Sequence, residues 1–289
     1  MKTIPINRVT LAAPTCLVEA GRRRKPSEGG RHTRRAFTIV ELLVVIAIIG
    51  ILAAILLPVL SKAKTAAEKS KARIEISELV AAIQKYDSDY GRFPVSPEDQ
   101  ALAGTNDFTC GGKNYAANGT VSWVMGITNN AEVIAILMDV TNYPNGKPTP
   151  NMNHVKNPQK TMFLNVKISG YDPAIPEPQP PGGVDVVGDY RDPWGSPYII
   201  TMDLSYDEQC RDSNYCHQAV SQLDVNMPAG LGGLFNPSSS ANSDNFLYHG
   251  KIMVWSAGPD RKFNVQGNPN PPPVGSANIE INRDNVLSW

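Results

Sequence analysis

The sequence is poor in the residues that announce catalysis. It has four histidines, His32, His154, His217 and His249, each standing singly, and no G-x-S-x-G, H-E-x-x-H, Walker or dinucleotide-type glycine motif. A hydrolase or nucleotide-dependent enzyme therefore lacks its usual sequence signature here. Cysteine is also scarce. Cys16 lies near the amino terminus, and Cys110, Cys210 and Cys216 follow it, an odd number that allows at most one intrachain bridge in that part of the chain. In an oxidising compartment the short Cys210–Cys216 loop is the expected disulfide. A metal site built from Cys210, Cys216 and His217 lacks a second ligand cluster at a recognisable spacing and ranks below it. Net charge is zero, but two opposite segments produce that balance. Residues 1–36 hold nine Lys and Arg against Glu19 and Glu28, a charge of +7, and the remainder carries −7.

Long apolar runs are absent too, with a single exception. Residues 42–60 are apolar or small without a charge, long enough to span hydrocarbon as a helix. The basic segment before this run predicts, by the positive-inside rule, that residues 1–36 stay in the cytoplasm while the acidic remainder crosses the membrane. A nucleic-acid-binding arm is the weaker reading of those basic residues, because they abut a hydrophobic stretch and have no aromatic residues interleaved. No convincing cleavage site of the secretory type follows Leu60, and the pattern continues as helix. Ala72, Ile76, Leu79, Ile83, Tyr86 and Tyr90 step by three and four residues and form one apolar stripe. Residues 41–90 thus read as one long helix, greasy all round in its first half and amphipathic in its second. Gly50 and Pro58 are its weak points.

Residues 91–289 form the expected head. Asn129 or Asn130 can cap a short helix stopped near Pro144. Residues 161–168, 196–207 and 250–260 have the β-branched and aromatic content of strands. The proline-rich stretches 172–183 and 267–276 are expected to lack regular structure. Trp123, Trp194, Trp255 and Trp289, spread singly, are expected as core or interface anchors rather than a sugar-binding platform. Asn118-Gly119-Thr120 fits a glycosylation sequon, a short pattern that recurs by chance. Asp260 and Asp284 flank a loop rich in Gly, Asn and Pro whose carbonyls could complete an oxygen site for a hard cation such as calcium, although aspartates in turns usually serve the turn itself.

One feature of the apolar run is out of place: Glu41, a lone carboxylate near its start. The surrounding stretch, RRAFTIVELLVVIAIIGILAAILLP, closely resembles the prepilin cleavage and methylation motif of type IV pilins and type II secretion pseudopilins. The resemblance implies that a membrane aspartic peptidase cuts between Ala36 and Phe37, with Ala36 where the family usually has glycine, and that the new amine at Phe37 is N-methylated. It also implies that Glu41 pairs with the Phe37 amine of a neighbouring subunit, and that the helix unwinds between Gly50 and Pro58 on assembly. The blocks YGRFP, RDPWGSPYII, VWSAGPDRKFN and RDNVLSW are similar to the major, G-type pseudopilin. This second likeness implies an α+β fold, a long N-terminal helix packed on a small antiparallel sheet, with a C-terminal loop that binds calcium through Asp260 and Asp284. Arg261 and Lys262 depart from the small residues usual there, and residues 100–189 exceed the family's compact head.

The domain plan that results is a leader (1–36), a membrane and filament-core helix (37–60), its amphipathic continuation (61–90) and a periplasmic head (91–289). The expected role is a structural subunit of a type II secretion pseudopilus, not an enzyme. It would be single-pass in the bacterial inner membrane, in contact with lipid before assembly. Its partners would be copies of itself, other pseudopilins, the prepilin peptidase and the inner-membrane assembly platform. A type IV pilus subunit is the nearest alternative, and a membrane-tethered periplasmic binding protein or hydrolase is one of a different class. A passive tether, however, has no use for Glu41.

Overall fold

The computed structural model describes residues 38–103, 107–115, 121–123, 129–176, 179, 182–223, 228–238, 243–263 and 280–289. The leader 1–36, the sequon at Asn118 and the connection 267–276 lie outside them. Helix α1 spans Ile39–Tyr90. It ends where Gly91 takes a φ of +63° and its amide closes on the Asp87 carbonyl at 2.7 Å. Only glycine adopts that left-handed conformation without penalty, which stops the helix cleanly. The predicted stripe is the buried one: Ala72, Ile76, Leu79, Ile83 and Tyr86 are all inside.

That stripe packs on an antiparallel sheet ordered β1 (Phe108–Cys110), β6 (Ile199–Met202), β9 (Ile252–Ser256) and β10 (Val286–Leu287). The strands pair with Phe108 opposite Met202, Ile200 opposite Val254, and Val286 opposite Ser256. Three further antiparallel pairs flank it: β2 (Lys113–Tyr115) with β3 (Val121–Trp123), β4 (Gly183–Val184) with β5 (Tyr190–Arg191), and β7 (Gln209–Cys210) with β8 (Tyr248–His249). The fold is thus α+β, as the sequence implied.

Alternation along the strands assigns each side chain to a face. Ile200, Met202, Ile252 and Val254 join the α1 stripe, together with Ile134 and Leu137 of a short helix α3 (Ala131–Leu137). Their neighbours Ile199, Met253 and Trp255 point the other way, into a second cluster with Tyr215, Val220, Leu234 and Phe246. Both sheet faces are therefore covered. The expectation placed the elaboration of the head in residues 100–189, yet the second face is covered largely by residues 210–263. Its apolar anchors are scattered singly among turns, so no periodicity marked them.

Three expectations need correction. Residues 161–168 run extended but join no ladder, apart from a single parallel bridge of Ile168 with Val184. Their strand-like composition serves packing, Leu164 being buried against the core. Helix α3 stops at Leu137, well short of Pro144. Asp139 takes a φ of +56°, and the Val140 amide reaches back to the Ala135 carbonyl at 2.9 Å, a left-handed termination without glycine. Cys110, Cys210 and Cys216 are all buried free thiols, so the Cys210–Cys216 bridge is not formed. Cys210 sits in β7 opposite Tyr248, while Cys216 lies in the following turn with its thiol on the Ser213 carbonyl.

The turn between β5 and β6 is tied to the sheet by Asp192, which is fully buried. Its Oδ1 accepts from the amides of Trp194 and Ser196, and its Oδ2 from the Ser256 hydroxyl at 2.5 Å. Trp194 and Tyr198 then donate to Glu68 and Glu75 of α1, at 3.0 and 2.6 Å. Asp192→Ala should strand a buried hydroxyl and two amides and lower stability by about 1–3 kcal/mol, read as a lower urea midpoint of the full-length chain.

Candidate assembly helix and acidic turn

The apolar helix begins at Thr38. The Thr38 hydroxyl accepts from the Glu41 amide at 3.2 Å. In return Glu41 Oε2 accepts from the Thr38 amide at 2.8 Å and from the Thr38 hydroxyl at 2.9 Å. This reciprocal arrangement is a capping box, which satisfies backbone donors that the first turn of any helix leaves open. Glu41 thus has a partner inside its own helix, one not anticipated from the sequence, although T-x-x-E before an apolar run is the signal for it. Ala36 and Phe37, the expected cleavage pair and methylated amine, lie outside the described residues, and with them the expected Phe37–Glu41 ion pair.

Every large apolar side chain from Leu42 to Leu60 is exposed. Among the described residues α1 is the one helix long and apolar enough to cross a membrane, and none of that stretch is buried. A helix can present such a surface to hydrocarbon because its backbone groups are paired internally. α1 runs unbroken through Gly50 and Pro58. Pro58 has no amide to bond the Ala54 carbonyl. Ala54 is also where the chain divides into two compact units, Met1–Ala54 and Ile55–Trp289.

In the head, the antiparallel pairing of β9 with β10 brings Asp260, four residues beyond one strand, beside Asp284, two residues before the other. The Asp260 amide donates to Asp284 Oδ2 at 3.2 Å, and Asp260 Oδ1 accepts from the Lys262 amide at 2.8 Å. Partial burial raises the Asp260 carboxyl above its ordinary range; the Lys262 amide opposes this and the neighbouring Asp284 charge adds to it. Gly258 makes the approach possible: its φ is +70°, and a Cβ there would fall 2.3 Å from the Asp284 carbonyl oxygen. The turn therefore brings Asp260 and Asp284 together through one amide–carboxylate hydrogen bond. Among the described residues no group of three or more His, Cys, Asp or Glu forms a metal cluster.

The three histidines among the described residues serve locally. His154 pairs with Asp139 at 2.8 Å, His217 with Asp244 at 3.2 Å, and His249 stacks on Phe235. Trp255 is buried and donates to Asp212, which also accepts from Thr201. Trp194 and Trp289 pack at the edges of the two clusters. These tryptophans anchor the core; the side chain of Trp123 lies outside the described residues.

A family model described as the prokaryotic N-terminal methylation motif matches residues 31–57, the interval that holds the basic segment, Glu41 and most of the apolar run. The chain carries that motif. Its amino-terminal region is similar to type II secretion system core protein G. It is 33% identical to that of Pectobacterium carotovorum subsp. carotovorum over 91 residues, 31% of this chain and 58% of the relative. It is 38% identical to that of Klebsiella michiganensis over 73 residues, 25% of this chain and 51% of the relative. The fimbrial protein EcpC of Eikenella corrodens is 40% identical over 74 residues, 26% of this chain and 46% of the relative. The chain thus spans little more than half the length of the curated relatives it matches. No solved structure matches it.

Gly258→Ala should force the β9–β10 turn open. Strain at this position is worth about 1–3 kcal/mol, and the expected result is a lower urea midpoint together with faster hydrogen exchange at Asp260 and Arg261.

Proposed function

We propose that this chain is a prepilin-like structural subunit of a type II secretion pseudopilus. In this reading a membrane peptidase removes residues 1–36, Phe37 becomes an N-methylated amino terminus, and α1 holds the subunit in the bacterial inner membrane until it enters a filament. The leader remains cytoplasmic and the head periplasmic. The chain is a substrate of the peptidase rather than an enzyme. Its partners are further copies of itself, other pseudopilins and the assembly platform, and Gly50 and Pro58 are the hinge at which α1 unwinds.

The observation that carries this reading is Glu41, a single acid inside a surface of exposed aliphatic side chains and inside the methylation motif. A carboxylate in hydrocarbon costs roughly 2.5–3.5 kcal/mol on insertion scales. A capping box satisfies its hydrogen bonding but leaves its charge. The methylated amine of a neighbouring Phe37 would neutralise that charge and set subunit register, since removing one member of a buried pair typically costs about 3–5 kcal/mol. The likeness to a fimbrial protein supports a second reading, a type IV pilus subunit. Deleting the gene separates the two: loss of secretion indicates a pseudopilus, loss of surface filaments a pilus. We extend the proposal to calcium at Asp260 and Asp284, where the ion would neutralise two neighbouring carboxylates and pin the β9–β10 turn.

Mass spectrometry of the protein from native membranes should find a methylated Phe37 at the amino terminus; an intact leader would leave a plain anchor. Glu41→Leu should remain in the membrane yet fail to enter filaments. Calorimetry of the full-length chain in detergent should register calcium binding that is lost in Asp260→Ala and Asp284→Ala. That binding should weaken as the pH falls through the raised range of Asp260, because protons then compete for the carboxylate.

A further inference from the structure

Just past the apolar run, α1 turns from greasy to strongly basic. Residues 61–74 hold Lys62, Lys64, Lys69, Lys71 and Arg73 against the single acid Glu68, a charge of +4, whereas residues 91–289 hold twelve Lys and Arg against nineteen Asp and Glu. The cations thus gather where the exposed apolar surface of Ile55, Leu57, Val59 and Leu60 ends. All five lie within thirteen residues of Leu60, on the side to which the head is carried, against the positive-inside rule.

Two of them have acidic neighbours: Lys64 lies 3.7 Å from Glu68 and Lys71 lies 3.6 Å from Glu75. Both lysines are well exposed, and exposed pairs of this kind hold weakly. Lys62, Lys69 and Arg73 form no ion pair among the described residues. Steps of seven and four residues set these three on one face of the helix. Lys69 and Arg73 are like charges four residues apart, an arrangement that destabilises a helix left to itself. Nothing within the chain neutralises this face.

The head adds a second marker at the same end. Among the described residues, the bond from Trp194 to Glu68 is the hydrogen bond between α1 and the head that lies nearest the apolar run. The Trp194 indole is half-buried there, and tryptophan is enriched where hydrocarbon gives way to water. Lys62, Lys64 and Lys69 stand about 3, 6 and 13 Å beyond Leu60 along the helix axis, against a headgroup layer about 5–8 Å deep. Helical side chains lean toward the amino terminus, here toward the apolar run, so the long Lys69 stem brings its ammonium down to that layer. Arg73, one turn further out, repels it in the same direction.

We propose that Lys62, Lys64 and Lys69, with the Trp194 indole beside them, form a docking surface for the phosphates of anionic phospholipid. The inference rests on α1 holding the chain in a bilayer, and it names the lipid class that the unassembled subunit meets. An anionic surface attracts this basic collar and repels the acidic remainder of the head, so one lipid charge both seats the base and keeps the rest in water.

The test compares the full-length chain in vesicles of phosphatidylcholine alone and in vesicles of equal phosphatidylcholine and phosphatidylglycerol. Outward-facing heads are treated with a water-soluble amine-acetylating reagent, and mass spectrometry of the peptides gives the rate at each lysine. In the anionic vesicles Lys62, Lys64 and Lys69 should react about fivefold more slowly. Lys85 and Lys160, near the far end of α1, should keep their rates, and about 1 M salt should remove the difference. Lys62→Gln and Lys69→Gln should each lessen the protection of Lys64. Equal rates in the two vesicles, with the chain resisting alkaline extraction from both, overturn the proposal alone. A chain that is extracted overturns the reading of α1 as an anchor, and this inference with it. Protection that follows the density of protein rather than the lipid overturns the proposal too, and assigns the basic face to the acidic head of a second copy.

Discussion

The described head depends on one burial event: the stripe from Ala72 to Tyr86 of α1 leaving water for one face of the four-stranded sheet. Fully burying an aliphatic or aromatic side chain is worth about 1.5–3 kcal/mol, and the stripe supplies Ile76, Leu79, Ile83 and Tyr86 in succession. A sheet with large apolar residues on both faces has a second face with the same need. That need explains why Tyr215, Val220, Leu234 and Phe246 come together from separate turns on the far side of Met253 and Trp255. The loops of this head are thus organised as a cover for the sheet.

The same helix meets two different demands along its length. From Leu42 to Leu60 it is apolar on every side, whereas beyond Ala72 it is apolar on one stripe only. A continuous helix can serve both because its backbone hydrogen bonds do not depend on the surroundings. Its ends still need partners. Gly91 provides the termination at one end and the Thr38–Glu41 box the beginning at the other. A carboxylate that accepts hydrogen bonds from its own cap has lone pairs left for a cation. The capping role and the proposed pairing with a neighbouring amine are therefore compatible.

Aspartates do much of the work that disulfides do in many small domains. Asp192 gathers the amides of one turn and a hydroxyl from β9. Asp212 gathers Asn214 and Tyr215 amides, the Thr201 hydroxyl and the Trp255 indole. Asp203 holds the turn from Ser205 to Glu208. Each sets its carboxyl oxygens where several donors converge, which offsets the loss of water around them. With such anchors in place, the three free thiols have a packing role, and the short loop that suggested a bridge is held by Asp212 and backbone contacts instead.

Local periodicity and composition determined the long helix, its buried stripe, the two central strands and the position of Glu41, because spacing along one element is a property of the chain alone. The resemblance in the blocks around Trp194, Trp255 and Asp284 pointed to the α+β arrangement. The T-x-x-E box was equally legible, as was the Ser96–Pro97 start of the short helix α2 (Pro97–Ala103), since caps are local signals. Only the tertiary structure decided that residues 161–168 stay outside the ladder, that the second sheet face is covered from residues 210–263, and that Cys210 and Cys216 remain thiols. It alone set Asp260 beside Asp284. That pairing joins residues more than twenty positions apart, and the physical reason is general: strand register and helix docking, not sequence spacing, fix which distant side chains meet.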